Sequence, residues 1–137
     1  MRQRLFLFAI CLAAALVLAA PVAANSIPTT GTRISLFAAP ATFASDAPFY
    51  VEHGSACEPS VDSPSLCMGS DTHFDLYLDG SLQRSAVDIE NSAGGWAKLN
   101  LTNYPAGLPA GRHTFVGVWV ADGSVYQTIS VRITFTR

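Results

Sequence analysis

LPAGRHTFVGVWVADG, residues 108–123, places a run of β-branched and aromatic residues between two turn sequences. Pro109-Ala110-Gly111 precedes the run and Ala121-Asp122-Gly123 follows it. Successive side chains of a strand point to opposite faces. One face then carries His113, Phe115, Gly117 and Trp119, and the other carries Thr114, Val116, Val118 and Val120. Both faces are largely apolar, which predicts a central strand that is covered on at least one side and flanked on both edges.

Six further segments have the composition or alternation of strands. They are residues 33–37, 49–54, 73–78, 81–89, 96–102 and 126–136. Asp79-Gly80 is a strong hairpin signal, whereas 81–89 lacks clean alternation and is predicted to be an edge strand. Residues 38–48 carry Pro40 and Pro48, which indicates a connection or a broken edge strand. We predict an all-β, antiparallel sandwich of about seven strands, with no helix after the N-terminal region.

The N-terminus has the three parts of a secretory signal peptide. Arg2 and Arg4 provide a positive start, residues 5–20 are apolar, and small residues follow up to Ala24. We expect cleavage after Ala24, so that 1–24 is the signal peptide. An uncleaved anchor is the alternative, although the apolar run is shorter than the ~20 residues of a membrane span. Lipidation at Cys11 would leave an apolar stretch below the ~7–15 residues expected of a signal peptide.

The remaining chain, residues 25–137, is long enough for one domain with its own core. Its first residues, 25–32, include Pro28 and Gly31 and are expected to form a flexible leader. Without Arg2 and Arg4, six basic residues remain against ten acidic ones, a net charge of −4. This charge and the lack of Lys/Arg clusters argue against nucleic acid and anionic membranes as partners. We expect the product to be secreted, periplasmic or held at the cell surface.

Cysteine usage agrees with export. Once Cys11 leaves with the signal peptide, Cys57 and Cys67 remain. An even pair in an exported chain predicts one disulfide, which here would close a short loop rich in proline and serine. Such a bridge contributes roughly 2–3 kcal/mol in the chain-entropy description.

Residues 108–115, followed by Ala121-Asp122-Gly123, resemble the penultimate-strand signature of bacterial immunoglobulin-like modules. Fibronectin type III and PKD-type domains are similar at this point: a leucine, a turn with proline or glycine, and then commonly a tyrosine. His113 stands where that tyrosine is common, so the resemblance does not imply the tyrosine-corner hydrogen bond. It does imply an immunoglobulin-like architecture and a role in adhesion, spacing or ligand binding rather than catalysis.

The first candidate binding surface is an outward row on the predicted strand 96–102. Alternation directs Ala97, Leu99 and Leu101 to the core, and it directs Trp96, Lys98, Asn100 and Thr102 to solvent, with Tyr104 just beyond. An exposed tryptophan can stack on a sugar ring, and lysine and asparagine can orient hydroxyls. The predicted ligand-binding residues are therefore Trp96, Lys98, Asn100 and Tyr104. The alternative is that Trp96 covers a sheet edge or the mouth of the core.

Asn100-Leu101-Thr102 is also a glycosylation sequon.

A second candidate is a polar row on the strand 73–78. Asp71, His73, Asp75, Tyr77 and Asp79 share one face, with same-face neighbours roughly 6.5–7 Å apart. His73 then lies between two carboxylates, which favours its protonated form. The spacing does not gather oxygens around one ion, so a calcium cage is not predicted. The alternative is an ordinary solvated face.

Metal binding and catalysis were weighed as further candidates. His53, His73 and His113, with Met68 as an additional ligand, would meet only if their strands were neighbours, and no closely spaced ligand pair is present. Ser70, Asp71 and His73 are too close along one strand to converge as a triad. We predict no metal, no cofactor and no enzymatic activity.

These features favour a secreted, non-catalytic immunoglobulin-like module that binds or adheres at the envelope or outside the cell. Its expected partner is a protein or a neutral glycan. The alternatives are a carbohydrate-binding module that uses Trp96 and Tyr104, and a small periplasmic metal-binding protein.

Overall fold

The computed structural model describes residues 27–57, 72–92 and 95–137, and in these ranges the chain is almost entirely β-strand. The strands are β1 (Thr32–Ser35), β2 (Thr42–Ala44), β3 (Phe49–Cys57), β4 (His73–Leu78), β5 (Ser81–Ala86), β6 (Asp88–Ser92), β7 (Gly95–Tyr104), β8 (Gly111–Ala121) and β9 (Ser124–Thr136). A 3-10 segment, Leu36–Ala38, lies between β1 and β2. The predicted signal peptide lies outside the described residues.

The strands form two sheets, one in the order β1-β3-β7-β6 and one in the order β2-β9-β8-β4-β5. β8 is central in the five-stranded sheet and pairs with β4 and β9, as its two apolar faces predict. Side chains from both sheets share one core, formed by Ile34, Leu36, Phe49, Val51, Leu76, Tyr104, Phe115, Ile133 and Phe135. The all-β prediction is confirmed, and the arrangement is compatible with a β-sandwich.

Two pairings differ from the antiparallel prediction. β1 runs parallel to β3, with Thr32 beside Phe49, and β2 runs parallel to β9, with Phe43 beside Phe135. Neither short strand is joined to its partner by a tight hairpin, so the connection does not force an antiparallel pair. The predicted strand 33–37 ends early because the 3-10 segment turns the chain toward the other sheet. Of the two alternatives for 38–48, β2 matches the broken edge strand.

The predicted edge strand 81–89 is in fact two strands in two sheets. β5 pairs with β4, and β6 pairs with β7. Arg84 spans the crossing, because its guanidinium binds both carboxylate oxygens of Asp88 and donates to the Leu101 carbonyl at 2.8 Å. Asp88 in turn accepts a hydrogen bond from the Leu101 amide at 3.1 Å. Side-chain bonds thus hold the segment at the point where it leaves one sheet for the other.

One face of each of β3, β4, β8 and β9 is buried in the core. Phe49, Phe74 and Phe115 are fully buried. Phe49 stacks on Tyr104 with ring centroids 4.7 Å apart and meets Phe115 edge to face. Removing a phenylalanine side chain of this kind from water contributes roughly 1.5–3 kcal/mol. Aromatic contacts between β3, β7 and β8 are thus part of the packing that joins the two sheets.

Candidate functional site

The predicted ligand row of β7 does not form an exposed surface. Asn100 is 0% exposed and Tyr104 is 9% exposed. β7 pairs with β3 so that Asn100 lies opposite His53 and Tyr104 opposite Phe49, whose side chains face the core. The prediction that Asn100 faces solvent is therefore wrong. Lys98 is half-buried, and the side chain of Trp96 lies outside the described part of the chain.

Burial raises the pKa of the Tyr104 phenol well above its ordinary value, so this group stays protonated. Its hydroxyl has no hydrogen-bond partner in the described structure. Tyr104 is therefore an aromatic side chain of the core.

Asn100 is a polar link between the two sheets. Its amide nitrogen donates to the Phe74 and Arg84 carbonyls of the five-stranded sheet, both at 2.9 Å. Its amide oxygen accepts a hydrogen bond from the Thr102 hydroxyl at 2.7 Å. Because the carboxamide is paired at both ends, its burial is tolerated. The sequon at Asn100 is closed in the folded protein, since the nitrogen that would carry a glycan is buried and already bonded.

His53 is a second buried polar side chain, 1% exposed. Its ring meets Phe74 edge to face at 5.3 Å and lies over Gly117, where an added β-carbon would be 2.7 Å from three ring atoms. Neither ring nitrogen has a hydrogen-bond partner in the described structure. Burial lowers the pKa of His53, and the nearby Val118 backbone and the charge of Asp75 offset only part of this effect. The ring is therefore a neutral, flat core side chain.

The contribution of His53 to the free energy of unfolding should fall as the pH drops below about 6.5, the ordinary pKa of an unfolded histidine. The folded pKa of His53 is lowered, so between that value and about 6.5 the unfolded chain binds more protons than the folded one. The contribution of His53 is complete above this window and is lost on acidification. Urea unfolding from about pH 5 to about pH 8 should show a shallower pH slope for His53→Leu than for the wild type.

His73→Leu is the matched control for this prediction, because the His73 side chain is 42% exposed. The change of slope in His53→Leu is compared with the change in this variant, which loses an exposed histidine. Asp79, whose pKa is lowered from 3.8, titrates below the measured range. An unchanged slope in His53→Leu would contradict the assignment of the pH dependence to His53.

His113 joins the β7–β8 connection to the turn between β4 and β5. Its Nε2 lies 3.1 Å from the Pro109 carbonyl oxygen, and its Nδ1 lies 2.7 Å from one carboxylate oxygen of Asp79. The other carboxylate oxygen accepts a hydrogen bond from the Thr114 amide at 2.8 Å. The bonds from Thr114 and His113 hold the pKa of Asp79 below its ordinary value. Both neighbours of the ring are acceptors, so both bonds form only when each ring nitrogen carries a proton.

The three histidines do not converge. His73 lies opposite Val120 near one end of β8, while His113 is seven residues away along the same strand, about 23 Å. Within the described residues, no group of three or more His, Cys, Asp or Glu side chains is placed to hold a metal ion. Met68 of that candidate set lies outside these residues.

The polar row of β4 is divided between different partners. His73 and Asp75 approach to 3.7 Å, too far for a hydrogen bond, whereas Asp79 binds His113. Ser70 and Asp71 lie outside the described residues, as do Cys67 and the side chain of Cys57. The disulfide therefore stays a prediction.

An exposed aromatic surface lies at the hairpin between β8 and β9. We call Trp119, Val125 and Tyr126 the hairpin surface. Val125 is 64% exposed and Tyr126 is 62% exposed. The Tyr126 ring lies 4.4 Å, centroid to centroid, from Trp119, which in turn contacts the buried Phe74 at 5.6 Å. The exposed Tyr126 ring thus packs on Trp119, which packs on the core residue Phe74. This packing limits the motion of the Tyr126 side chain.

A register shift creates this surface. Trp119 pairs with Gln127, but Val120 pairs with Val125, so Tyr126 is an extra residue in β9. Such a bulge re-aims a side chain, and here Tyr126 turns toward Trp119. From the sequence, Tyr126 is only the first residue of the predicted strand 126–136. The signal in the sequence is the position of Val125 and Tyr126 just after the turn Ala121-Asp122-Gly123, where apolar side chains are often exposed.

The hairpin surface occupies one end of the molecule. β3 ends and β4 begins at this end, since His73 lies opposite Val120. At the other end, the Thr32 amide donates to the Pro48 carbonyl and the Ser45 amide donates to the Thr136 carbonyl. The first and last strands therefore start and finish away from the hairpin surface.

No protein-family model, curated protein or solved structure matches the chain. In the described part of the chain, no helix is long and apolar enough to cross a membrane. What the protein does is therefore inferred from its own residues.

Proposed function

We propose that this protein is an exported, non-catalytic immunoglobulin-like module that binds a protein or a neutral glycan at the cell envelope or outside the cell. The strand order is the observation that carries the proposal. When β3 to β9 are taken as strands B, C, C′, D, E, F and G, the four-stranded sheet reads A-B-E-D and the five-stranded sheet contains G-F-C-C′. These are the strand sets of immunoglobulin sheets. β1 and β2 lie parallel to β3 and β9 at the edges of these two sets.

The bond of His113 to the backbone gives further support. In the tyrosine corner of immunoglobulin domains, a side chain near the start of strand F bonds to the backbone a few residues upstream. His113 occupies that position in β8, and its Nε2 reaches the Pro109 carbonyl four residues upstream. A histidine can thus supply the hydrogen bond that a tyrosine supplies elsewhere.

The location of the hairpin surface favours binding at one end. The β3–β4 and β8–β9 connections correspond to the B–C and F–G loops, which carry ligand contacts in variable domains. Tyrosine and tryptophan bring a large contact area and dominate interfaces when a partner buries them. The net charge of −4 after signal cleavage makes an acidic polymer an unfavourable ligand, so a neutral glycan or a protein fits better.

Export and the Cys57–Cys67 disulfide belong to the same proposal. Both rest on the N-terminal sequence and on the even cysteine pair. An anchor or a tether joined to the Thr32 end would leave the hairpin surface facing outward, which suits a binding module.

A carbohydrate-binding module is the second candidate, favoured by the packing of exposed Tyr126 on Trp119. The exposed Tyr126 ring offers a flat face on which a sugar ring can stack. The hairpin surface replaces the Trp96 and Tyr104 surface in this role, because Tyr104 is buried.

The test is binding of purified wild-type protein and Tyr126→Ala to an array of neutral oligosaccharides and to cell-envelope fractions. Tyr126→Ala should lower the affinity for any ligand found at least tenfold, about 1.4 kcal/mol, without a change in melting temperature. Ile89→Ala is the matched control, since Ile89 is 51% exposed on an edge strand of the other sheet. Equal binding by wild type and Tyr126→Ala would contradict the proposed site, and cleavage of an arrayed glycan would contradict the absence of catalysis.

A further inference from the structure

The outer face of the five-stranded sheet carries an apolar stripe that the core does not use. Phe115, Gly117 and Trp119 of β8 face the four-stranded sheet, so the alternate residues Val116 and Val118 face away from it, with Val120 beyond them. Each of these three valines is partly exposed. Consecutive apolar residues on a solvent face are uncommon unless another surface covers them.

The neighbouring strands border this stripe with Tyr77 and with polar side chains, among them Asp75 of β4, which lies beside Val118. Tyr77 of β4 lies beside Val116, and Leu82 of β5, 54% exposed, lies beside Tyr77. On the other side, Ser130 and Thr128 of β9 flank Val116 and Val118. An apolar stripe bordered by polar side chains is the arrangement found at many protein–protein interfaces.

One end of the stripe lies between a positive and a negative side chain, one on each side of β8. Arg132 of β9 is exposed and lies beside Thr114 of β8. On the other side, the half-exposed Asp79 carboxylate accepts a hydrogen bond from the Thr114 amide. Arg132 and Asp79 are therefore both level with Thr114 of β8. Arg132 lies on the β9 side of the valine stripe and Asp79 lies on the β4 side.

We propose that this face binds a second copy of the same chain, with a two-fold axis parallel to β8. Such an axis places the β9 side of one copy over the β4 side of the other and keeps residues at the same height along the strand. Arg132 of each copy then meets Asp79 of the other, and the valine stripes meet at the centre. A two-fold interface uses the same patch of both copies. This patch can pair with itself, because its positive and negative side chains lie on opposite sides of the stripe at the same position along β8.

The size of the face sets the expected strength. Four strands and seven to eight residues cover roughly 20 by 25 Å, so two copies bury roughly 1,000 Å². This is the lower end for a specific interface, and the dimer should be reversible rather than obligate. Val125 of the hairpin surface lies beside Val120 at the end of the stripe, whereas Tyr126 and Trp119 lie outside it. The oligomeric state is measured without a ligand, so this proposal does not depend on the proposed function.

The experiment is sedimentation equilibrium of the purified mature protein over a range of concentrations, at low and at high salt. The wild type should dimerise reversibly, and more weakly at high salt because the Arg132–Asp79 pairs are screened. Val118→Lys should be monomeric throughout, and Ile89→Lys, on the other sheet, should dimerise as the wild type does. Arg132→Glu, an exposed change that does not touch the core, should raise the dimer dissociation constant at least tenfold.

A wild type that is monomeric at every concentration would overturn the proposal. So would a dimer that persists unchanged in Arg132→Glu. If Val118→Lys fails to fold, Arg132→Glu alone decides between these outcomes.

Discussion

Asn100→Asp should lower the free energy of unfolding by at least about 3 kcal/mol. Aspartate has nearly the same shape as asparagine, but it lacks the two N–H groups that reach the Phe74 and Arg84 carbonyls. An ionised carboxylate would face two carbonyl oxygens inside the core, and a protonated one could donate to only one of them. Urea unfolding at neutral pH, followed by circular dichroism, measures the difference.

Tyr104→Phe is the matched control on the same strand. The Tyr104 hydroxyl is buried without a partner in the described structure, so its removal should change stability by less than about 1 kcal/mol. Equal stability of Asn100→Asp and the wild type would show that the bonds from Asn100 do not hold the sheets together.

Gly117→Ala should destabilise the protein by about 2 kcal/mol, because the added methyl group enters space that His53 occupies. The new β-carbon would lie 2.7 Å from three atoms of the buried ring, closer than packed atoms approach. The ring also touches Phe74 and therefore cannot simply swing aside. Chemical unfolding of the single variant gives the cost.

A double-mutant cycle with His53→Ala assigns this cost to the contact. In the His53→Ala background the space beside residue 117 is open, and Gly117→Ala should cost less than about 0.5 kcal/mol. If the cost is the same in both backgrounds, the glycine is required for another reason, and the packing of His53 on β8 is described wrongly.

Alternation indicates the core faces of β3, β4 and β9, because each of these strands has one face that is clearly more apolar. It does not indicate the core face of β8, since both faces of that strand are largely apolar. It failed for β7, where Leu99 and Leu101 suggested one inward face. Both leucines are indeed buried, at 5% and 4% exposure, but Asn100 on the opposite face is buried as well. A side-chain amide enters a core when its hydrogen bonds are met by distant partners, here carbonyls from β4 and β5. Such partners are brought together only by the fold.

The sequence also does not indicate that residues 81–89 are divided between two sheets. No proline or glycine marks the crossing at Val87, and Arg84 with Asp88 has the four-residue spacing of an ordinary surface ion pair. The pair joins the two sheets because both side chains also bond to the backbone of Leu101 in β7. The parallel pairing of β1 and β2 likewise depends on which sheet each short segment reaches, and local residue patterns do not encode that choice.

The candidate site moved from β7 to the β8–β9 hairpin for a related reason. Alternation places Trp96 and Tyr104 on an outward row, yet a bulge leaves Tyr126 exposed beside Trp119. Bulges are set by the pairing of two strands and have no dependable signature in either strand alone. An exposed aromatic surface is present, but it lies at Tyr126 in the β8–β9 hairpin and not at Tyr104 of β7.

Hydroxyl-radical footprinting of the protein, free and bound to the oligosaccharide or envelope fraction that retains it best, tests binding at the hairpin surface most directly. Val125 and Tyr126 should be oxidised readily in the free protein and protected at least severalfold on binding. Leu82 and Phe37, which are 54% and 55% exposed away from the hairpin, should be oxidised equally in both states. Protection of Leu82 or Phe37 with Tyr126 unchanged would place the ligand elsewhere and contradict the account.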